Sequence, residues 1–147
     1  MKGQNKTLAL ITGTNTKLLS LCILLLRCTV GIILFMVGTG KVFGWFGGHG
    51  MQATIQAFAR SGFAPPLIYL SMFTEFIGGF LFMIGFLTRP AAVPVIINML
   101  VATLSMMPHG FLMGFADFPF SILVSSVIIL LAGPMKYSLD SIFFRSK

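Results

Sequence analysis

Four long apolar runs dominate the pattern of this chain, and short stretches rich in glycine, proline or polar residues separate them. A helix needs about 20 residues to cross the ~30 Å hydrocarbon core of a bilayer, at a rise of ~1.5 Å per residue. The pattern predicts an all-α, integral membrane four-helix bundle. The predicted spans cover residues 18–43, 66–87, 90–107 and 118–133.

These runs divide the chain into a polar lead at 1–17, a four-helix membrane domain at 18–134 and a polar tail at 135–147. Between the first two runs, the segment 44–65 begins with glycines and ends in proline. Apolar side chains recur there at helical spacing among polar ones, at Met51, Ile55, Phe58 and Ala59. This amphipathic spacing predicts a short helix that lies in the membrane interface.

Composition supports the membrane class, because 56% of the residues are hydrophobic and only 9% are charged, against roughly 25% charged in a soluble domain. The net charge of +7 does not indicate nucleic-acid binding, since the basic residues flank apolar runs. Cys22 and Cys28 point apart on one predicted helix and cannot form a disulfide within it. No metal-ligand cluster or glycine-rich nucleotide loop is visible in the sequence, so neither a metal nor a nucleotide cofactor is predicted.

The basic residues also predict the orientation of the chain. With both termini in the cytoplasm, seven lysines and arginines outside the apolar runs lie inside, whereas Lys41 and Arg60 lie outside. This asymmetry follows the positive-inside rule.

Each predicted span carries a polar residue near the middle of the membrane. Counted from the helix rise, these residues lie roughly 12–19 Å from the cytoplasmic side. They are Arg27, Glu75, Asn98 and Ser125. A charge at this depth costs at least ~2.5–3.5 kcal/mol unless it has a partner or a water-filled cavity. We therefore predict that Arg27 and Glu75 form an ion pair inside the bundle.

Two interpretations of this polar layer stay open. In the first, the ion pair is structural and fixes the register of the helices. In the second, the layer forms the floor of a cavity for a ligand head group, or part of a proton path. Lys41, Asn98 and Ser125 are then predicted ligand-binding residues, and Lys41 shares a helix face with Arg27.

The predicted outer loops carry two histidines. His109 and Asp117 form either a solvated pair or a redox or ligand site at the outer mouth, where Asp117 is a further candidate ligand-binding residue. His49 lies between glycines in another loop. Because two imidazoles can ligate iron, a haem between His49 and His109 is a less favoured alternative.

Three stretches resemble the DoxX family of small four-helix membrane proteins. The likeness covers about residues 23–140. It is carried by LLRCTVGIILFMVGTGKVFGWF (25–46), TEFIGGFLFMIGFLTRPAA (74–92) and GPMKYSLD (133–140), together with His109. The family takes its name from a subunit of an archaeal quinone-linked oxidoreductase. The resemblance implies a multi-pass protein of a prokaryotic inner membrane, with Arg27, Glu75 and His109 as the functional, catalytic positions.

We therefore predict a membrane subunit of a quinone-linked redox complex, with quinone as the expected cofactor. Its partners would be the lipid bilayer and other membrane or redox subunits, and a homo-oligomer stays open. A second hypothesis is a structural or assembly subunit without chemistry of its own. A small-molecule or lipid transporter ranks last, because four helices without a repeat or a broken pair suit alternating access poorly.

Overall fold

The computed structural model describes residues 16–112 and 115–143, and every regular element in these ranges is helical. The all-α class is therefore confirmed. The α-helices are α1 (Thr16–Phe43), α2 (Gly50–Arg60), α3 (Pro65–Ile84), α4 (Thr88–Met106), α5 (Asp117–Ala132) and α6 (Leu139–Phe143). Short 3-10 turns lie at Trp45–Gly47 and Met107–His109. The four long helices begin and end within about three residues of the predicted spans, and α2 occupies the segment in which a short interfacial helix was predicted.

Local sequence explains the turn between α3 and α4. A proline pair opens α3, where the missing N–H groups cost nothing. Gly85 ends this helix in the left-handed conformation, with φ 67°, and its N–H donates to the carbonyl of Leu81. Leu87 is also left-handed, with φ 48°, although a leucine rarely adopts this conformation. The strained turn therefore needs support from elsewhere in the fold.

The long helices pack side by side, with α3 against α1, α4 against α3, and α5 against both α4 and α1. The contact between α1 and α3 is the closest of these, because glycines let the two backbones touch. A Cβ atom at Gly38 would overlap the backbone of Phe76, and a Cβ atom at Gly79 would overlap that of Phe35. Small residues at such contacts are typical of helices packed in lipid.

Apolar side chains both fill the interior and cover the outside of this structure. Phe82, Val95 and Ile129 are fully buried, whereas Leu25, Leu70 and many others are more than half exposed. Three helices, α1, α3 and α4 with its 3-10 turn, are long and apolar enough to cross a membrane. The protein is therefore a membrane protein. The apolar helix α5 has only 16 residues, so its crossing of the bilayer stays a prediction.

The antiparallel helices give the molecule two ends. We call the end that carries α2 and His109 the α2 end. The opposite end, which carries the Gly85–Thr88 turn and residues 134–143, is the tail end. The start of α1 lies at the tail end, since Arg27 packs against Gly85.

Candidate functional site: a pocket around Glu75

A buried ion pair joins α1 and α3 near the α2 end. The Nζ atom of Lys41 lies 2.7 Å from Oε1 and 2.6 Å from Oε2 of Glu75, so one ammonium group holds both carboxylate oxygens. The Glu75 side chain is 5% exposed and that of Lys41 is 24% exposed. On α4, the Nδ2 atom of Asn98 donates to Glu75 Oε1 over 3.3 Å. Side chains from three helices thus meet at one carboxylate.

The short helix α2 covers this ion pair. Lys41 Nζ lies 5.6 Å from the centre of the Phe58 ring, within the range of a cation–π contact. Thr54, which is buried one turn earlier on α2, directs its hydroxyl toward the carbonyl oxygens of Gly50 and Lys41. These contacts fix α2 over the end of α1.

A cavity of about 310 Å³ extends from Glu75 between α3 and α4. Its polar lining includes Lys41, Glu75 and Asn98, and most of the remaining lining is apolar. Leu70 of α3 and Ile97 of α4 line the cavity and are 63% and 58% exposed at the molecular surface. The cavity therefore opens sideways, between two helices whose outer faces are apolar. We call it the Glu75 pocket.

The predicted ion pair between Arg27 and Glu75 is wrong. Arg27 packs against Gly85, ten residues beyond Glu75 on α3, and ten helical residues span roughly 15 Å. The guanidinium, which is 1% exposed, donates to the carbonyl oxygens of Pro134 at 3.0 Å and Tyr137 at 2.5 Å. Arg27 therefore lies in the tail end and not in the pocket.

Asp140 completes this second polar site, although the sequence analysis gave it no role. Its two carboxylate oxygens accept the N–H groups of Leu87 at 2.7 Å and Thr88 at 2.9 Å. Its own N–H donates to the carbonyl of Gly85 at 3.0 Å. A carboxylate at the start of a helix satisfies free N–H groups and suits the helix dipole, so Asp140 caps α4 and supports the strained turn. We call Arg27, Asp140 and the backbone they bind the Arg27 cluster.

The remaining predicted site residues do not join the Glu75 pocket. His109 is exposed in the 3-10 turn after α4, and Asp117 opens α5. Within the described ranges no direct ion pair connects these two side chains, and both interpretations, a solvated pair and a site at the outer mouth, stay predictions. Ser125 donates to the carbonyl of Ser121 on its own helix and does not line the pocket. His49 is exposed before α2.

Sequence reasoning missed the partner of Glu75 and the cover over it. Lys41 was identified as a ligand-binding candidate, but its pairing depends on the register of α1 against α3. A signal was present, since Gly31, Gly38 and Gly79 mark where two backbones can approach. Phe58 had been placed on the apolar face of the short helix, and the sequence did not show that this face covers a lysine.

Comparison with known proteins agrees with this architecture. The DoxX family model matches residues 22–108, a range that contains Arg27, Lys41, Glu75 and Asn98. The chain is 32% identical over 124 residues to a Bacillus subtilis (strain 168) protein named "Putative oxidoreductase CatD", an alignment that covers 84% of this chain and 88% of the relative. No solved structure matches the chain significantly. The chain belongs to the DoxX family.

Proposed function

We propose that this protein is the membrane subunit of a redox complex and that the Glu75 pocket binds the head group of a quinone. One observation carries the proposal: a largely apolar cavity that opens between lipid-facing helices has one charged end, formed by Lys41 and Glu75 together with Asn98. Its volume is at the lower limit of known small-molecule sites. A quinone has a matching shape, with a flat polar head and an apolar side chain that stays in lipid.

The chemistry of the polar end supports a neutral ligand. Lys41 and Glu75 cancel in charge, and among the described residues they are the only acidic or basic groups that line the pocket. An ammonium group has three N–H donors, so Lys41 retains donors beyond the one that it directs at Glu75 Oε1. The Asn98 amide has a second N–H. Both can donate to a carbonyl oxygen of the ligand, which is the contact that orients a quinone.

Packing alone gives a weak reason for this ion pair. Apolar residues of similar volume often stabilise a fold as well as a buried ion pair does, or better. A lysine and a glutamate at the polar end of a cavity can also exchange protons with a bound ligand. Reduction of a quinone to a quinol takes two electrons and two protons. In this proposal a partner redox protein supplies the electrons, and Glu75 lies on the route of the protons.

The name of the Bacillus relative supports a redox role. The distribution of charge supports the proposed location in a prokaryotic inner membrane with both termini in the cytoplasm. Among the described residues, Lys17, Arg89 and Lys136 lie toward the tail end, whereas Lys41 and Arg60 lie toward the α2 end. By the positive-inside rule, the tail end faces the cytoplasm and the Glu75 pocket lies nearer the outer surface.

A binding experiment tests the proposed function. The protein is purified in nanodiscs, and binding of a prenylated 1,4-naphthoquinone is measured by equilibrium dialysis. Lys41→Met and Glu75→Gln should each weaken binding about tenfold or more, because each removes a charged hydrogen-bonding group. Asp117→Asn is the matched control, since this carboxylate lies on α5 outside the pocket. Helical circular dichroism and monodisperse elution confirm that the variants fold.

The alternative of a subunit without chemistry is supported by the Arg27 cluster, because the two terminal nitrogens of a residue expected to be functional donate to the chain's own backbone. The same variants distinguish the two functions. If folded Lys41→Met and Glu75→Gln bind the quinone as the wild type does, or if the wild type does not bind it, the pocket is not a quinone site. Retained activity of the assembled complex in both variants would then favour the scaffold role.

A further inference from the structure

Two hydroxyl groups on the pocket side of α3 have no hydrogen-bond partner in the part of the protein that the structure describes. Serine and threonine in helices commonly donate to the carbonyl four residues earlier, as Thr54, Thr103 and Ser105 do here. Ser71 and Thr74 line the Glu75 pocket and are half-buried, yet within the described ranges neither makes an intramolecular hydrogen bond. Their hydroxyls are therefore available to a ligand in the cavity.

Ser71 lies where it can bind the far side of that ligand. It is four residues before Glu75 on α3, so the two side chains share a helix face and are separated by roughly 6 Å along the axis. Apart from Thr74, and Ser105, which donates to its own helix, the lining around them is largely apolar and includes Met72, Pro94 and Val101. The pocket thus has two hydrogen-bonding positions, one formed by Lys41 and Asn98 and the other by Ser71, separated by apolar walls.

A six-membered ring with oxygens at opposite positions can engage both levels of the pocket, because its two oxygens point in opposite directions. When one oxygen of such a ring binds at the Lys41 end, the opposite oxygen points along α3 toward the α2 end, where Ser71 lies. Two adjacent oxygens that both bind at the Lys41 end leave no oxygen directed toward Ser71. Thr74 lines the side of the pocket at the level of Glu75. Its hydroxyl therefore belongs to the Lys41 end and does not distinguish a ligand with opposite oxygens from one with adjacent oxygens.

We infer that Ser71 is a specificity-determining residue of the Glu75 pocket and selects para-quinones over ortho-quinones by donating a hydrogen bond to the distal oxygen. The inference rests on the proposed function, since it assumes that a quinone occupies the pocket. It adds two points to that function: Ser71 contacts the ligand, and the site prefers para-quinones.

Two isomers of equal size provide the test. Binding of 1,4-naphthoquinone and 1,2-naphthoquinone is compared in nanodiscs, in a background with Cys22→Ser and Cys28→Ser because quinones alkylate thiols. The parent should prefer the 1,4-isomer. Ser71→Ala should weaken binding of the 1,4-isomer about three- to tenfold, the usual effect of one hydrogen bond, and leave the 1,2-isomer unchanged. Ser71→Thr retains the hydroxyl and should restore the preference.

Ser121→Ala is the matched control, because it removes a helical serine hydroxyl outside the pocket. If the parent binds the 1,4-isomer and Ser71→Ala changes neither its affinity nor the preference between isomers, Ser71 is not the distal partner and the inference is overturned while the proposed function stands. If the parent binds neither isomer, both are overturned.

Discussion

At the scale of single residues, the sequence predicted which charged side chains are buried, but it did not predict which groups they bind. Arg27 and Glu75 are both buried, as a charge within an apolar run requires either a partner or water. Each has a different partner from the one predicted. Two neighbouring helices can pack in many registers, and the sequence does not show which residues of α1 and α3 lie at the same height in the bundle. Asn98 was correctly expected near Glu75, whereas Ser125 bonds within its own helix.

Replacement of Arg27 should affect the tail end and not the pocket. In Arg27→Met the carbonyls of Pro134 and Tyr137 lose their donor, and hydrogen bonds from a charged group contribute about 1.5–3 kcal/mol each. We expect a lower unfolding temperature and faster trypsin cleavage after Lys136. Quinone affinity should remain that of the wild type.

Arg27→Lys is the conservative control for this prediction. It retains the charge but not the planar fork that reaches two acceptors, so its stability should be intermediate. An Arg27→Met protein that keeps a protected tail but loses quinone binding would instead show that Arg27 acts in the pocket.

At the scale of helices, the sequence predicted where each helix lies but not how α1 and α3 align. The depth of Arg27 had been counted from the start of its apolar run, as if that start lay at the membrane surface. In the structure, the eleven residues 16–26 of α1 extend past the level of Gly85, which is roughly 16 Å of helix. The apolar residues in 16–26 are of the same types as those later in α1, so hydropathy alone cannot show where α1 enters the membrane.

The close contact of α1 with α3 should tolerate no side chain at Gly38. In Gly38→Val the new atoms would overlap the Phe76 backbone, which no rotamer change relieves, and overpacking typically costs about 1–3 kcal/mol or more. We expect a lower unfolding temperature in detergent and a smaller monodisperse fraction. Ile32→Phe enlarges an exposed side chain on the same helix and should leave both measurements unchanged, and an equally stable Gly38→Val would contradict the close packing.

At the scale of the whole molecule, the two polar sites are separated along the bundle, and this separation divides their roles. The Glu75 pocket lies toward the α2 end and the Arg27 cluster at the tail end. The separation does not follow from composition, since it depends on how α1 and α3 align, whereas the distribution of basic residues predicts the orientation. Orientation can be measured directly.

Labelling of introduced cysteines should show the tail end inside. In a background with Cys22→Ser and Cys28→Ser, the exposed positions Ser61 and Lys136 are each replaced by cysteine and treated with a membrane-impermeant maleimide. Ser61→Cys should react in intact cells, whereas Lys136→Cys should react only after the membrane is opened. The reverse pattern would place the pocket on the cytoplasmic side.

The long sequence separation within the Arg27 cluster has a consequence for biogenesis. Arg27 leaves the ribosome 107 and 110 residues ahead of its two acceptors, and the start of α4 is likewise made before Asp140. Until residues 134–137 have been made and have reached the bundle, water or lipid phosphate must solvate this guanidinium. A nascent chain stopped before Asp140 would therefore contain all four long helices, but the N–H groups of the Gly85–Thr88 turn would lack their carboxylate acceptor. Membrane quality-control proteases could distinguish this state from the finished protein.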